Sequence, residues 1–265
     1  MKDKTFLREQ ILGHLKLYSD LGVRYIASPQ AQARPAVRKS EKRSSEASPI
    51  PRTGAPSVAP RVPVNTSMFD EALSGEESLG AIQAELKECR RCKLAPGRTN
   101  LVFGSGNPHA DLMFVGEAPG ADEDAQGLPF VGRAGQLLTK IIEAIGMRRD
   151  EVYICNILKC RPPGNRNPEP DEIASCEKYL FRQIAAVKPK VICALGAFGA
   201  QTLLKTTETI GRLRGHLIDY RGSKLMATFH PAYLLRNPNE KRRVWEDMQI
   251  VRDYLHSMSN PDKSS

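Results

Sequence analysis

Apolar and polar positions come in blocks along this chain, alternately strand-sized and helix-sized. Leu112-Met113-Phe114-Val115 is an unbroken apolar run of the kind that forms a strand covered on both faces. Val152–Asn156, Lys190–Leu195 and Lys224–Thr228 repeat the pattern, and Leu213–Tyr220 is placed to pair with the last of these. Between them the period lengthens. Leu137, Leu138, Ile141, Ile142 and Ile145 share one face of a helix that begins near Gly132. Pro170-Asp171-Glu172 opens a helix running to about Val187, with proline well placed in its first turn. Another helix follows Gly196, and Val244, Met248, Val251 and Leu255 mark the inner face of the last, from about Asn239 to Met258. Strands alternating with helices predict an α/β fold, a three-layer α/β/α domain around a central, mostly parallel four-stranded sheet.

The flanks read differently. Phe6, Leu7, Ile11, Leu15 and Leu21 give residues 1–26 an apolar stripe between charges, an amphipathic helix that packs or meets a partner. Residues 27–67 are rich in Pro, Ser, Ala and Arg and poor in large apolar side chains. Such a segment buries too little surface to offset its ordering entropy, so a disordered linker is expected. The globular domain is placed at 68–258, opening with a helix over 68–88, and residues 259–265 form a short disordered tail.

Hydrophobic residues make up 40% of 265, enough for a sizeable core, and the formal net charge of +9 brings a polyanionic partner into consideration. No run is apolar enough to span a bilayer, and the charged N-terminus lacks the pattern of a secretory signal. A cytoplasmic location without membrane contact is therefore expected. There the six cysteines do not form structural disulfides. Cys155 and Cys193 fall on expected strands, where a thiol is an ordinary small apolar residue. Cys89, Cys92, Cys160 and Cys176 remain, the number that a structural zinc or a [4Fe–4S] cluster requires. Spacing alone does not choose between them.

In open α/β sheets ligands gather beyond the carboxyl ends of the strands. Glu117 follows the first strand within the turn Gly116-Glu117-Ala118-Pro119-Gly120. Asn156 ends the second strand, Gly196 follows the third, and His230 ends the fourth within Phe229-His230-Pro231. Parallel strands bring these groups to one edge, which points to a site without naming its substrate.

Four segments carry a resemblance. GEAPG (116–120), GLPFVGRAG (127–135), NILKCRPPGNRNP (156–168) and HPAYLLR (230–236), in this order and with the cysteines between them, resemble family 4 uracil-DNA glycosylases. The resemblance covers about 80–257. It implies a [4Fe–4S] cluster on Cys89, Cys92, Cys160 and Cys176, ordering the loop between Cys160 and Cys176. It implies uracil-containing DNA as substrate, flipped so that the N-glycosidic bond is hydrolysed and an abasic site remains. A branch of the family traps uracil covalently and carries a basic insertion ending in His. Here Ala125-Gln126-Gly127 passes straight into Leu128, so turnover is expected.

The resemblance also implies roles. Phe130 stacks on the base, Asn156 reads its edge, and His230 donates to uracil O2 as the bond breaks. The Gly116-Glu117-Ala118 backbone lines the pocket. Glu117 positions water or stabilises the cationic sugar, with Glu123 and Asp124 as alternative acids, and Glu123 instead crowds uracil position 5. Leu234 or Leu235 fills the gap left in the duplex, while Arg161, Arg166 and Arg236 are candidates for phosphate contact. A monomer is expected, with residues 1–67 free to meet a repair or replication protein. A non-catalytic iron–sulfur module that binds DNA or senses damage is the competing expectation, and a zinc protein acting on a small nucleotide is a third.

Overall fold

A computed structural model describes residues 77–259. The expectations for residues 1–26, 27–67, 68–76 and 260–265 lie outside the described residues. Six strands form one sheet in the order β1-β3-β2-β4-β6-β5. They are β1 Ser105–Gly106, β2 Leu112–Gly116, β3 Tyr153–Asn156, β4 Val191–Leu195, β5 Leu217–Tyr220 and β6 Ser223–Thr228. The inner four run parallel, and β1 and β5 add an antiparallel strand at either edge. The expected four-stranded parallel sheet is thus the core of a larger one. β1 is too short to show a period, and its Gly106, at φ 118°, has no room for a side chain against the Val152 carbonyl.

β2, β3 and β4 are buried along their whole length, as strands covered on both faces must be. Alternate residues separate the two cores. Leu112, Phe114, Val191 and Cys193 face one side, where α3 (Arg133–Ala144), α7 (Pro231–Arg236) and α8 (Lys241–Ser259) supply Leu138, Ile142, Leu234, Val244 and Met248. Met113, Val115, Ile192 and Ala194 face the other, against Leu180 and Val187 of α4 (Pro170–Val187) and Leu203 of α5 (Gly196–Leu204). α1 (Leu79–Leu86) packs Ile82 and Leu86 against Tyr179 of α4. The three-layer α/β/α architecture follows. Cys155 and Cys193 are fully buried in the core strands.

One further element bears on the site. The acidic stretch after Gly120 is α2 (Ala121–Gln126), with Asp122, Glu123 and Asp124 in its first turn and Gly127 ending it at φ 70°. Acids there complement the helix dipole, and left-handed glycine is the usual stop. α8 includes Ser259, one residue past the expected end of the domain. A further single turn, α6 (Ile210–Leu213), precedes β5. Among the described residues no helix is long and apolar enough to cross a membrane.

Candidate active site

Register sets the site. Gly116 pairs with Asn156 and Leu195 with Thr228, so the four parallel strands end level with one another. Their tips open onto a cavity of about 410 Å³ lined by Glu117, Phe130, Asn156, His230 and Arg236 among others. The third tip contributes indirectly: Gly196, at φ 88°, leaves room for His230, whose Cβ would lie 3.1 Å from a side chain there.

Asn156 closes β3 and is 1% exposed. Its Oδ1 is buried without a hydrogen-bond partner among the described residues. An unpaired buried acceptor costs roughly 1–3 kcal/mol, and this one lies in the cavity wall, where a donor from a water or a ligand can reach it. Phe130 lies beside it. A Cβ on Gly116 would stand 2.3 Å from Asn156 Oδ1 and 2.6 Å from Phe130 Cζ, so only glycine lets amide and ring meet there. Phe130 reaches this place with φ 53°, a left-handed backbone that L-residues adopt at a cost.

His230 is the N-cap of α7, and its Nδ1 accepts the Ala232 N–H at 3.1 Å. A ring nitrogen that accepts carries no proton, so the ring proton sits on Nε2. Burial, with the Arg236 charge adding to it, pushes His230 down to about 4, and the ring is a neutral donor. It stands 5.5 Å from the Phe130 ring, tilted by 32°.

Glu117 is half-buried, and its carboxyl has no hydrogen bond or ion pair among the described residues. Burial raises it to about 7. The two neighbouring acids are differently employed. Glu123 lines the cavity, but its Oε2 accepts the Gly120 N–H at 3.1 Å and its Oε1 those of Val131 and Gly132 at 2.9 and 3.1 Å. Asp124 is buried and accepts the Thr99 N–H at 3.0 Å. Of the three, Glu117 alone has an uncommitted carboxyl at the cavity.

The model of the uracil DNA glycosylase superfamily matches residues 103–249. The chain belongs to the uracil DNA glycosylase superfamily. It is 46% identical to the type-4 uracil-DNA glycosylase of Thermotoga maritima over 184 residues, covering 68% of this chain and 96% of that protein. It is 45% identical to the type-4 enzyme of Archaeoglobus fulgidus over 183 residues, covering 66% of this chain and 92% of the relative. The type-4 enzyme of Saccharolobus solfataricus is 44% identical over 190 residues, covering 68% and 88%.

In this member of the uracil DNA glycosylase superfamily the cavity rim departs from expectation at two places. Leu234 is fully buried in the core beneath α7 and cannot enter a duplex, whereas Leu235 is 42% exposed. The expectation for Leu234 is corrected accordingly: its helical position turns it inward. Arg166 lines the cavity but is bound by two nitrogens to Glu172, at 2.9 and 2.6 Å, which ties the loop to the first turn of α4. That pairing occupies the guanidinium expected to meet phosphate. Arg161 bonds Asn165 Oδ1 at 2.7 Å. Arg236 is exposed at the mouth and has no ion pair among the described residues.

The four remaining cysteines come from three places: Cys89 and Cys92 after α1, Cys160 after β3, and Cys176 on α4. All are free thiols. They share surroundings, since the Cys160 thiol feels Cys92 and Cys89, and the Cys176 thiol feels Cys160 and Cys92. Burial is the main influence on both, raising Cys176 to about 11. Arg98 donates to the Cys89 carbonyl at 2.6 Å and to Cys160 Sγ at 3.4 Å, bridging two of the segments. Among the described residues no three His, Cys, Asp or Glu side chains gather tightly enough to chelate one ion.

Two residues of the site escaped sequence reasoning. Lys159 is fully buried, and its Nζ donates to the Asn156 carbonyl at 2.6 Å and to Gln183 Oε1 at 2.5 Å. Its place between Leu158 and Cys160 in an apolar run was the available signal. Arg149 holds the backbone of Phe130, and nothing in its local sequence marks it.

Proposed function

We infer that this protein excises uracil from DNA by hydrolysing the N-glycosidic bond, leaving an abasic site for base excision repair. The observation that carries this is the unpaired Asn156 amide facing Phe130 and a neutral His230 across one cavity. Uracil presents N3–H and O4 side by side, a donor and an acceptor that an asparagine amide matches. Cytosine presents the reverse pair and is refused. The base must leave the stack to enter, with Phe130 against its face. Leu235 and Tyr233, exposed at the rim, fill the duplex, and Arg236 meets phosphate. Incubation with uracil-containing oligonucleotides followed by alkaline cleavage tests this. A strand break at uracil and none at cytosine is expected. DNA binding without product, unchanged in Asn156→Ala and His230→Ala, would favour a non-catalytic module.

Glu117 acts in its ionised form. As a carboxylate beside the sugar it positions water and stabilises the cation that forms as the base departs. Its value of about 7 places the change of charge at working pH. The rate is expected to rise with pH through about 7 in the native protein and to lose that rise in Glu117→Gln. Stability moves the opposite way. A carboxyl raised from 4.5 to about 7 favours the fold fully below pH 4.5 and loses that contribution as pH rises through 7. Glu117→Gln should therefore melt higher than the native protein at pH 8. A pH–rate profile together with melting curves checks both signs.

Cys89, Cys92, Cys160 and Cys176 fit a [4Fe–4S] cluster by donor type and by their shared surroundings. Those four thiolates would hold the cluster, which would then link the segment after α1, the loop after β3 and α4. Purified protein is expected to carry about four irons and four sulfides with a broad absorbance near 400 nm, in keeping with that cluster type. Cys176→Ser should lose most of the iron and melt lower. Zinc in place of iron would overturn the assignment.

A further inference from the structure

The Phe130 ring sits where it does because its backbone is held in a conformation the chain would otherwise leave. The restraint comes from two residues of opposite charge. Arg149, half-buried between α3 and β3, donates from Nη2 to the Pro129 carbonyl at 2.7 Å and to the Phe130 carbonyl at 3.0 Å. Its Nη1 donates to Thr139 Oγ1 of α3 at 3.1 Å, which anchors the guanidinium to the helix below the loop. From the other side Glu123 accepts the N–H groups of Val131 and Gly132. The peptide joining Phe130 to Val131 is therefore gripped at both ends, its carbonyl by the cation and its N–H by the anion. Gly135 completes the fit: a Cβ there would lie 1.8 Å from the Phe130 carbonyl oxygen.

We propose that Arg149 is a positioning residue for base recognition, forming with Glu123 a clamp that keeps the Phe130 ring in the base-stacking place opposite Asn156. Relaxing φ 53° at Phe130 requires the following peptide to turn, and the clamp forbids that turn. The charges suit the task. A guanidinium spans two carbonyls and a hydroxyl from one rigid plane, which a shorter or neutral side chain cannot do. Burial disfavours the charge on Arg149, and Glu123 offsets part of that effect.

The inference rests on the uracil-excising function proposed above and predicts which kinetic constant changes. Stacking holds the base equally in the ground state and in the transition state, so its loss weakens binding and leaves the chemical step alone. Arg149→Met should raise KM for a uracil-containing oligonucleotide and the inhibition constant of free uracil by about tenfold, the scale of one base–aromatic stack. Its kcat should stay within about threefold of the native value. Arg149→Lys, which keeps the positive charge but not the planar fork, should fall between the two proteins. A residue that merely supported the fold would lower the melting temperature and the active fraction while leaving KM and uracil inhibition unchanged, and that result would overturn the clamp. Arg149→Lys decides the matter on the same constants if Arg149→Met does not fold. The native protein run alongside separates the two levels: no uracil released by it would reject the function, whereas release with an unmoved inhibition constant in either variant rejects only the clamp.

Discussion

Replacing His230 by alanine is expected to slow uracil release by about two to three orders of magnitude, the usual effect of removing one preorganised donor from a developing anion. The expectation follows from the proton's address. Nδ1 is occupied in accepting the Ala232 N–H, so Nε2–H is the end of the ring free to donate. Burial holds the ring at about 4, so it is neutral throughout the working range and loses no solvation on donating. As the glycosidic bond breaks, negative charge gathers on uracil O2, and a donor already in place gains strength only then. The loss should therefore appear in kcat, with DNA affinity changed by less than about threefold. Single-turnover rates and binding to an uncleavable analogue measure the two separately. Equal losses in both would show that His230 only supports α7. The same depressed value carries a stability consequence. A histidine lowered from 6.5 to about 4 contributes fully above pH 6.5 and loses that contribution as pH falls toward 4. His230→Ala should flatten that part of the melting profile.

Much of this scaffold was legible in the chain because the signals were local. Pro170 and Val187 bound α4 in the structure as they do in the sequence, since proline at the first turn and Glu172 reaching back to the Glu169 N–H fix the start without help from elsewhere. The buried strands announced themselves as apolar runs, and parallel register carried Glu117, Asn156 and His230 to one edge. What was hidden depended on distant partners. The acids of α2 look like a solvated loop until the Phe130 segment arrives to receive Glu123. Arg166 reads as a free cation until Glu172 is folded against it. Leu234 and Leu235 are indistinguishable in sequence, and only the turn of α7 sends one inward. Phe130's left-handed backbone has no local signature, because glycine at 116 and 135 and the charges of Glu123 and Arg149 impose it from outside.

Asn156→Ala is expected to abolish most activity without weakening the fold. Two consequences of one atom are separable here. In the folded protein Asn156 Oδ1 accepts no hydrogen bond from any described residue. Uracil would pair with it through its N3–H, while cytosine would set its own N3 lone pair against the same oxygen and leave both unsatisfied. Alanine removes the attraction for uracil and the repulsion of cytosine together. Uracil excision should fall by roughly three orders of magnitude, the scale of leaving two buried polar groups of the base unpaired at about 1–3 kcal/mol each. The residual rates on uracil and cytosine should then draw together. The melting temperature should stay level, because no hydrogen bond from Asn156 Oδ1 within the fold is lost and the space left adjoins a cavity already open. Few positions in a core strand trade in this direction: truncating fully buried Ile154, two residues earlier on β3, should cost the several kcal/mol typical of a core cavity. A lower melting temperature with the uracil-to-cytosine ratio preserved would mean that Asn156 is an ordinary strand-end residue and that the edge of the base is read elsewhere.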